Sequence, residues 1–263
     1  MDEKINFDKK LEQRYQDLFR FTEKTAKKSR NFLIGERPDS VGKKVILFHF
    51  ARAAYLLDAI FRLCNQGFAT EAMVILRSLL NLYINIKWLT TSNSEERLAR
   101  FVDFGAVYEA LAFDRLAERR GSSANFHPRE DFELVKRKYG LKKTSEFFRW
   151  SGKSIRQMAK DVNLDSEYDV VYSHLSAVEH TGLETAASYV KHPEGKIVLK
   201  AGPRDDNIRL VLLTALKYYF FVEGMTREMF GLDCAPLEKE TQEWSVLSIK
   251  YLAGVKVKIV DPG

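Results

Sequence analysis

Polar side chains interrupt an apolar helical segment at four-residue spacing. Arg77, Asn81 and Asn85 lie at i, i+4 and i+8 within a run built otherwise mainly from Met, Val, Ile, Leu and Tyr. Because residues four apart share one face of an α-helix, this spacing predicts a polar stripe. An arginine there must meet a carboxylate or several carbonyl groups, since burying an unpaired charge costs several kcal/mol. We therefore expect a polar partner for Arg77.

A second stripe occurs far downstream, in YDVVYSHLSAVEH. Tyr172, Ser176 and His180 are again four apart, and Glu179 lies one position aside. Such side chains can transfer protons, and a neighbouring arginine can hold an anionic group. If the two stripes meet in one mostly dry pocket between two central helices, they form a candidate site. Its candidate catalytic residues are His180 (acid/base), Glu179 (base or orienter) and Tyr172, and its candidate binding residues are Arg77, Asn81 and Ser176.

Three interpretations of these residues stay open. They can form a hydrogen-bond network that only fixes helix packing, bind a small ligand or nucleotide, or hydrolyse a phosphate-containing substrate. We assign no metal and no cofactor, because Cys64 and Cys234 have no histidine at zinc-ligand spacing. Motifs of P-loop ATPases, dinucleotide-binding proteins, zinc proteases and serine hydrolases are absent from the sequence.

The segment RSLLNLYINIKWL resembles the signature of a bacterial family of all-helical domains of unknown function. That signature is R-S-L-x-E with a later Asn and an aromatic residue, followed far downstream by Y-x-x-L-S-x-x-x-H. The matching residues are Arg77, Ser78, Leu79 and Asn85, and then Tyr172, Leu175, Ser176 and His180.

The resemblance covers residues 45–187 and implies a helical fold, but it implies no activity. One departure matters: the family often has Glu where this chain has Asn81. If that Glu pairs with the arginine or acts as a base in relatives, this chain must use another carboxylate. Glu179 is the nearest candidate.

The hydrophobic periodicity along the chain predicts an all-α fold, a single compact multi-helix bundle. We expect residues 1–40 to form an N-terminal helix and loop, residues 41–252 the helical core, and residues 253–263 a tail. At most one short β-hairpin is expected, near 195–203, where a brief β-branched run lies between glycines.

Charge and composition limit the partners. The 42 basic and 36 acidic residues give a net charge of +6 and are interspersed, as on solvated helix faces. The densest basic cluster, residues 136–143, is interpreted as an exposed helix end, with nucleic-acid contact the less favoured alternative. The other partners left open are an unknown small ligand and a protein, including a second copy in a homo-oligomer. A non-enzymatic scaffold or interaction module is the rival functional class.

The N-terminus and the cysteine content predict a cytoplasmic location. Residues 1–17 are charged from the second position, unlike a secretory signal, and two cysteines give no disulfide framework. The apolar segments 68–89 and 210–222 carry charged residues or are too short to span a bilayer. We therefore expect buried helices and no membrane partner.

Overall fold

The structure is a computed structural model, and it describes residues 2–32, 37–105, 129–141, 150–180, 189–191, 198–199 and 202–253. The chain divides into two compact units. The first contains residues 1–37, 47–83 and 166–263, and the second contains residues 38–46 and 84–165. The expected tail, apart from Ala253, lies outside the described residues, as do residues 106–128 and 142–149.

Helices dominate the described chain, which confirms the all-α prediction. In chain order they are α1 (Asp2–Ser29), α2 (Val41–Asn65), α3 (Ala69–Thr90), α4 (helical over 94–105), α5 (Arg129–Tyr139), α6 (Ile155–Asp161), a π-helix (Glu167–Tyr172), α7 (Ser173–Glu179), α8 (Ile208–Phe230) and α9 (Ala235–Leu252). Two short strands, β1 (Val190–Lys191) and β2 (Val198–Leu199), pair antiparallel. The expected hairpin therefore exists, although its first strand begins before residue 195.

The core of the first unit contains apolar side chains of α1, α2, α3, α8 and α9. Aromatic stacking joins α3 to α8, because the ring of Tyr83 lies 5.7 Å from that of Tyr218 and 5.0 Å from that of Phe221. Burial, with a smaller effect of the Glu167 carboxylate, raises the pKa of Tyr83 to about 12. This phenol is therefore neutral at physiological pH.

Buried charges join α1, α8 and α9. Arg227 donates from Nε and Nη2 to Glu223 Oε1 at 2.9 and 2.6 Å, and Glu223 has no exposed side-chain surface. Lys28 Nζ bridges Glu223 at 3.2 Å and Glu240 at 2.7 Å. Because two cations face two carboxylates, the charges of these four side chains balance, as buried ions require.

In the first unit, the segment that leads to the candidate site is not a regular α-helix throughout. The π-helix Glu167–Tyr172 passes directly into α7, and α7 ends at Glu179. His180 is the residue that caps the helix, with φ −92° and ψ 15°. The segment that carries the second polar stripe is therefore helical up to Glu179, but its first turn is wider than an α-helical turn.

The second unit has its own aromatic centre. Trp150 makes edge-to-face contacts with Trp88 at 5.7 Å and Phe101 at 4.9 Å between ring centroids. The indole N–H of Trp88 donates to Asp161 Oδ2 at 2.9 Å, and Lys153 Nζ donates to the same oxygen at 2.5 Å. These bonds tie the short helix α6 to the end of α3.

The basic cluster of residues 136–143 also belongs to this unit. Lys136 pairs with Glu133 at 3.4 Å, and Lys138 pairs with Asp103 at 2.7 Å. Lys142 and Lys143 lie outside the described residues. The two described lysines thus have carboxylate partners, as on an ordinary solvated helix face.

Within the described part of the chain, α3 alone is long and apolar enough to span a bilayer. However, 61% of its most apolar 18-residue stretch is buried within the protein, which is the pattern of a core helix.

Candidate functional site

Arg77 meets residues of both the π-helix and α7. Its Nη2 donates a hydrogen bond to the Tyr172 hydroxyl at 2.7 Å, and its Nη1 forms an ion pair with Glu179 Oε2. The guanidinium carbon also lies 4.7 Å from the centre of the Tyr172 ring. Glu179 is therefore the polar partner expected for Arg77. Tyr172 adds a charge-assisted hydrogen bond and a cation–π contact to the same guanidinium. We call Arg77, Tyr172, Glu179 and His180 the Arg77 cluster.

Exposure increases across this cluster. The side chain of Arg77 is 17% exposed, that of Glu179 is 36% exposed and that of His180 is 71% exposed. His180 Nε2 lies 3.8 Å from Glu179 Oε2, the oxygen that also pairs with Arg77. The guanidinium and the imidazole therefore do come together, but the expectation of one mostly dry space is wrong for His180. It is wrong because α7 ends just before His180 and leaves the imidazole facing solvent.

Two other expected residues contribute differently. Asn81 lies one turn beyond Arg77 on α3, and its Oδ1 is buried with no hydrogen-bond donor among the described residues. Arg77 Nε is likewise buried with no acceptor in the described part of the chain. Ser176 contributes only its backbone carbonyl oxygen, which accepts a hydrogen bond from the backbone N–H of His180 at 3.0 Å.

The structure adds residues that sequence reasoning missed. Tyr168 stacks on Tyr172 with ring centroids 4.4 Å apart and planes 15° apart. Lys217 of α8 pairs with Glu167 at 2.9 Å and so anchors the start of the π-helix. Tyr168 could have been predicted from the sequence, because it lies four residues before Tyr172 and extends the same stripe. The contact between Lys217 and Glu167 could not, since no local pattern links α8 to the π-helix.

In the Arg77 cluster, the guanidinium of Arg77 pairs with the Glu179 carboxylate, and this partly exposed carboxylate lies beside the His180 imidazole. Such a group of side chains can bind an anion, orient a histidine or fix helix packing. No metal role is assigned, because the described residues contain no group of three His, Cys, Asp or Glu side chains placed to hold an ion.

The family model "Family of unknown function (DUF5677)" matches residues 43–197, well over half of the chain. The chain belongs to DUF5677. The expected resemblance to a family of unknown function, over residues 45–187, is confirmed at that level. All residues of the Arg77 cluster lie inside the DUF5677 match, whereas α1, α8 and α9 lie outside it. No curated protein and no solved structure matches the chain.

Proposed function

We propose that the Arg77 cluster binds a small phosphate-containing ligand, whose anionic group replaces the Glu179 carboxylate on Arg77. The observation that carries this proposal is the unequal exposure of the ion pair: the cation is mostly buried, while its carboxylate is twice as exposed. A guanidinium fork donates hydrogen bonds to phosphate oxygens in the same geometry as to carboxylate oxygens. Rotation of Glu179 toward solvent would therefore leave a ready anion site.

The Tyr172 hydroxyl can also meet an incoming ligand. It accepts a hydrogen bond from Arg77, so its own proton can be donated to a ligand oxygen. This donor favours an oxygen-rich ligand.

The same exchange would prepare His180 for catalysis. Glu179, once released from Arg77, lies next to His180 and can orient its imidazole. In hydrolysis, water attacks phosphorus while Glu179 accepts the proton of that water. The bond between phosphorus and the leaving oxygen breaks, and His180 protonates this oxygen. In this mechanism Arg77 holds the charge on the transferred group.

Calorimetric titration of the full chain with inorganic pyrophosphate, nucleotides and short RNA tests the binding step. We expect saturable binding of at least one phosphate compound, weakened about tenfold or more by Arg77→Lys, which loses the fork but keeps the charge. Glu179→Gln should instead tighten binding, because the competing carboxylate is removed. The proposal fails if no compound binds, or if Arg77→Lys and the wild type bind equally.

Catalysis is tested with the compounds that bind. Turnover should fall at least a hundredfold in His180→Ala with binding retained, as expected for loss of a general acid. His174→Ala is the matched control, since His174 is exposed on the same helix and is not part of the cluster. Activity unchanged by His180→Ala would reject the hydrolytic role.

A second candidate function, a protein-interaction module, is favoured by exposed aromatic side chains on α2. Phe48 is 59% exposed and Tyr55 is 75% exposed, and they are seven residues apart on one helix face. In this case the Arg77 cluster only fixes packing, so Arg77→Ala lowers the melting temperature and no phosphate compound binds.

Light scattering after size exclusion tests whether the partner of the interaction module is a second copy of this chain. In the interaction module, Phe48→Glu and Tyr55→Glu should abolish any self-association seen in the wild type. Val246→Glu, on the exposed surface of α9, should not. A monomeric wild type removes a second copy as the partner.

A further inference from the structure

An apolar groove runs between α8 and α9, outside the Arg77 cluster and outside the DUF5677 match. Its volume is about 420 Å³, within the range of small-ligand sites. Phe220, Phe221, Leu237 and Trp244 form its walls, and Gly224 leaves space at its floor. The walls are mostly aromatic, so the groove suits an apolar or aromatic ligand body.

Two of these walls are held rigidly. The indole N–H of Trp244 donates to the Leu213 carbonyl at 3.0 Å, which fixes the ring against α8. One face of Phe221 is stacked on Tyr83, at 5.0 Å and 13°, while the side chain is 44% exposed. Rigid aromatic surfaces bind a ligand with little loss of side-chain entropy.

Charge decides which class of ligand the groove fits. Lys217 lines one part of the groove, where its ammonium is paired with Glu167 at 2.9 Å and lies 6.0 Å from the centre of the Phe221 ring. Glu238 also lines the groove, and no cation among the described residues pairs with it. Within the described ranges, the lining charge without an ionic partner is therefore the negative charge of Glu238.

We infer that the groove between α8 and α9 binds a lipophilic organic cation, with its apolar body against Phe221 and Trp244 and its positive charge near Glu238. Aromatic faces attract cations through the ring quadrupole, and the carboxylate adds a direct charge pair. Glu238 also lies in the first turn of α9, where its negative charge interacts favourably with the positive end of the helix dipole. That role stabilises α9 and leaves the carboxylate able to meet a cation.

A pair of probes with the same chain and opposite charge tests this inference. Decyltrimethylammonium and decanoate are titrated, below their micelle concentrations, into the full chain and followed by calorimetry and tryptophan fluorescence. We expect the cation to bind one site at least fivefold more tightly than the anion. Trp244→Phe should remove the fluorescence response, because Trp244 lines the groove, whereas Trp88 and Trp150 are not among its lining residues.

Variants locate the site. Glu238→Gln should weaken the cation about fivefold and bring the two probes to similar affinity, whereas Glu243→Gln, exposed on α9 but not lining the groove, should change neither. Gly224→Leu should fill the groove and abolish binding. Phe221→Ala removes a partly exposed wall of the groove and should weaken binding of the cation. It replaces Gly224→Leu if that variant does not fold.

Three results would overturn the inference. Decanoate could bind as tightly as the cation, Glu238→Gln could leave the preference unchanged, or both groove variants could bind as the wild type does. These outcomes are independent of phosphate binding at Arg77, so failure here leaves the proposed function to its own test.

Discussion

Arg77 of α3 and Glu179 of α7 form an ion pair between two segments that are far apart in the chain. The carboxylate comes from α7, although a residue one turn away on α3 could have supplied it. That residue is Asn81, which carries no charge. The countercharge of Arg77 therefore comes from a segment about 100 residues downstream of α3.

Moving the carboxylate back to α3 should restore the pair. Glu179→Gln should lower the free energy of unfolding by about 1–2 kcal/mol, because it leaves a mostly buried guanidinium without its countercharge. Adding Asn81→Glu should recover about half of this loss through an i, i+4 ion pair. Urea denaturation of the four proteins of this double-mutant cycle measures both effects. A double variant less stable than Glu179→Gln alone would contradict the exchange.

Removal of Arg227 should be among the most damaging changes in the first unit. Arg227→Ala leaves Glu223 fully buried with only Lys28 to balance it, so we expect a loss of about 3–5 kcal/mol. Arg62→Ala is the matched control, because Arg62 is largely exposed and pairs with Asp58 on its own helix. Its cost should stay below about 1 kcal/mol. Similar losses in both variants would refute the importance of burial.

Acid should weaken the second unit through Asp161. Hydrogen bonds from Lys153 and, secondarily, Trp88 hold the pKa of Asp161 below its ordinary value of 3.8. A lowered folded-state pKa contributes stability that is present above the unfolded-state pKa and lost as pH falls through the folded value. The stability gap between wild type and Asp161→Asn should thus be largest near pH 7 and shrink below about pH 4. Urea denaturation of both proteins near pH 7 and below about pH 4, followed by tryptophan fluorescence, measures this difference in stability.

Gly224→Ala should stabilise the protein. The residue lies inside α8, and a Cβ there would lie 3.5 Å from Leu237 Cδ2, which is an ordinary contact. Replacing an interior helical glycine by alanine gains about 0.5–1 kcal/mol. The melting temperature should therefore rise by a few degrees, and a fall would show that the groove floor tolerates no side chain.

The sequence by itself determined the all-α fold and the need of Arg77 for a partner. These features depend on local properties, namely hydrophobic periodicity and the cost of burying a charge. The four-residue spacing drew attention to Tyr172 and His180, and Glu179 lies beside that stripe; in the structure Arg77 contacts Tyr172 and Glu179, and His180 lies next to Glu179. The π-helical turn escaped prediction, because its hydrogen-bond pattern has no residue signature of its own.

Only the tertiary structure decided which side chains are exposed to solvent and which are buried. Whether His180 faces solvent depends on where α7 ends and on the surrounding packing, and no spacing rule encodes either. The groove between α8 and α9, and the charge left on Glu238, arise from contacts between distant segments such as Lys217 with Glu167. Burial and charge balance are properties of the packed chain, so they become visible only once the helices are assembled.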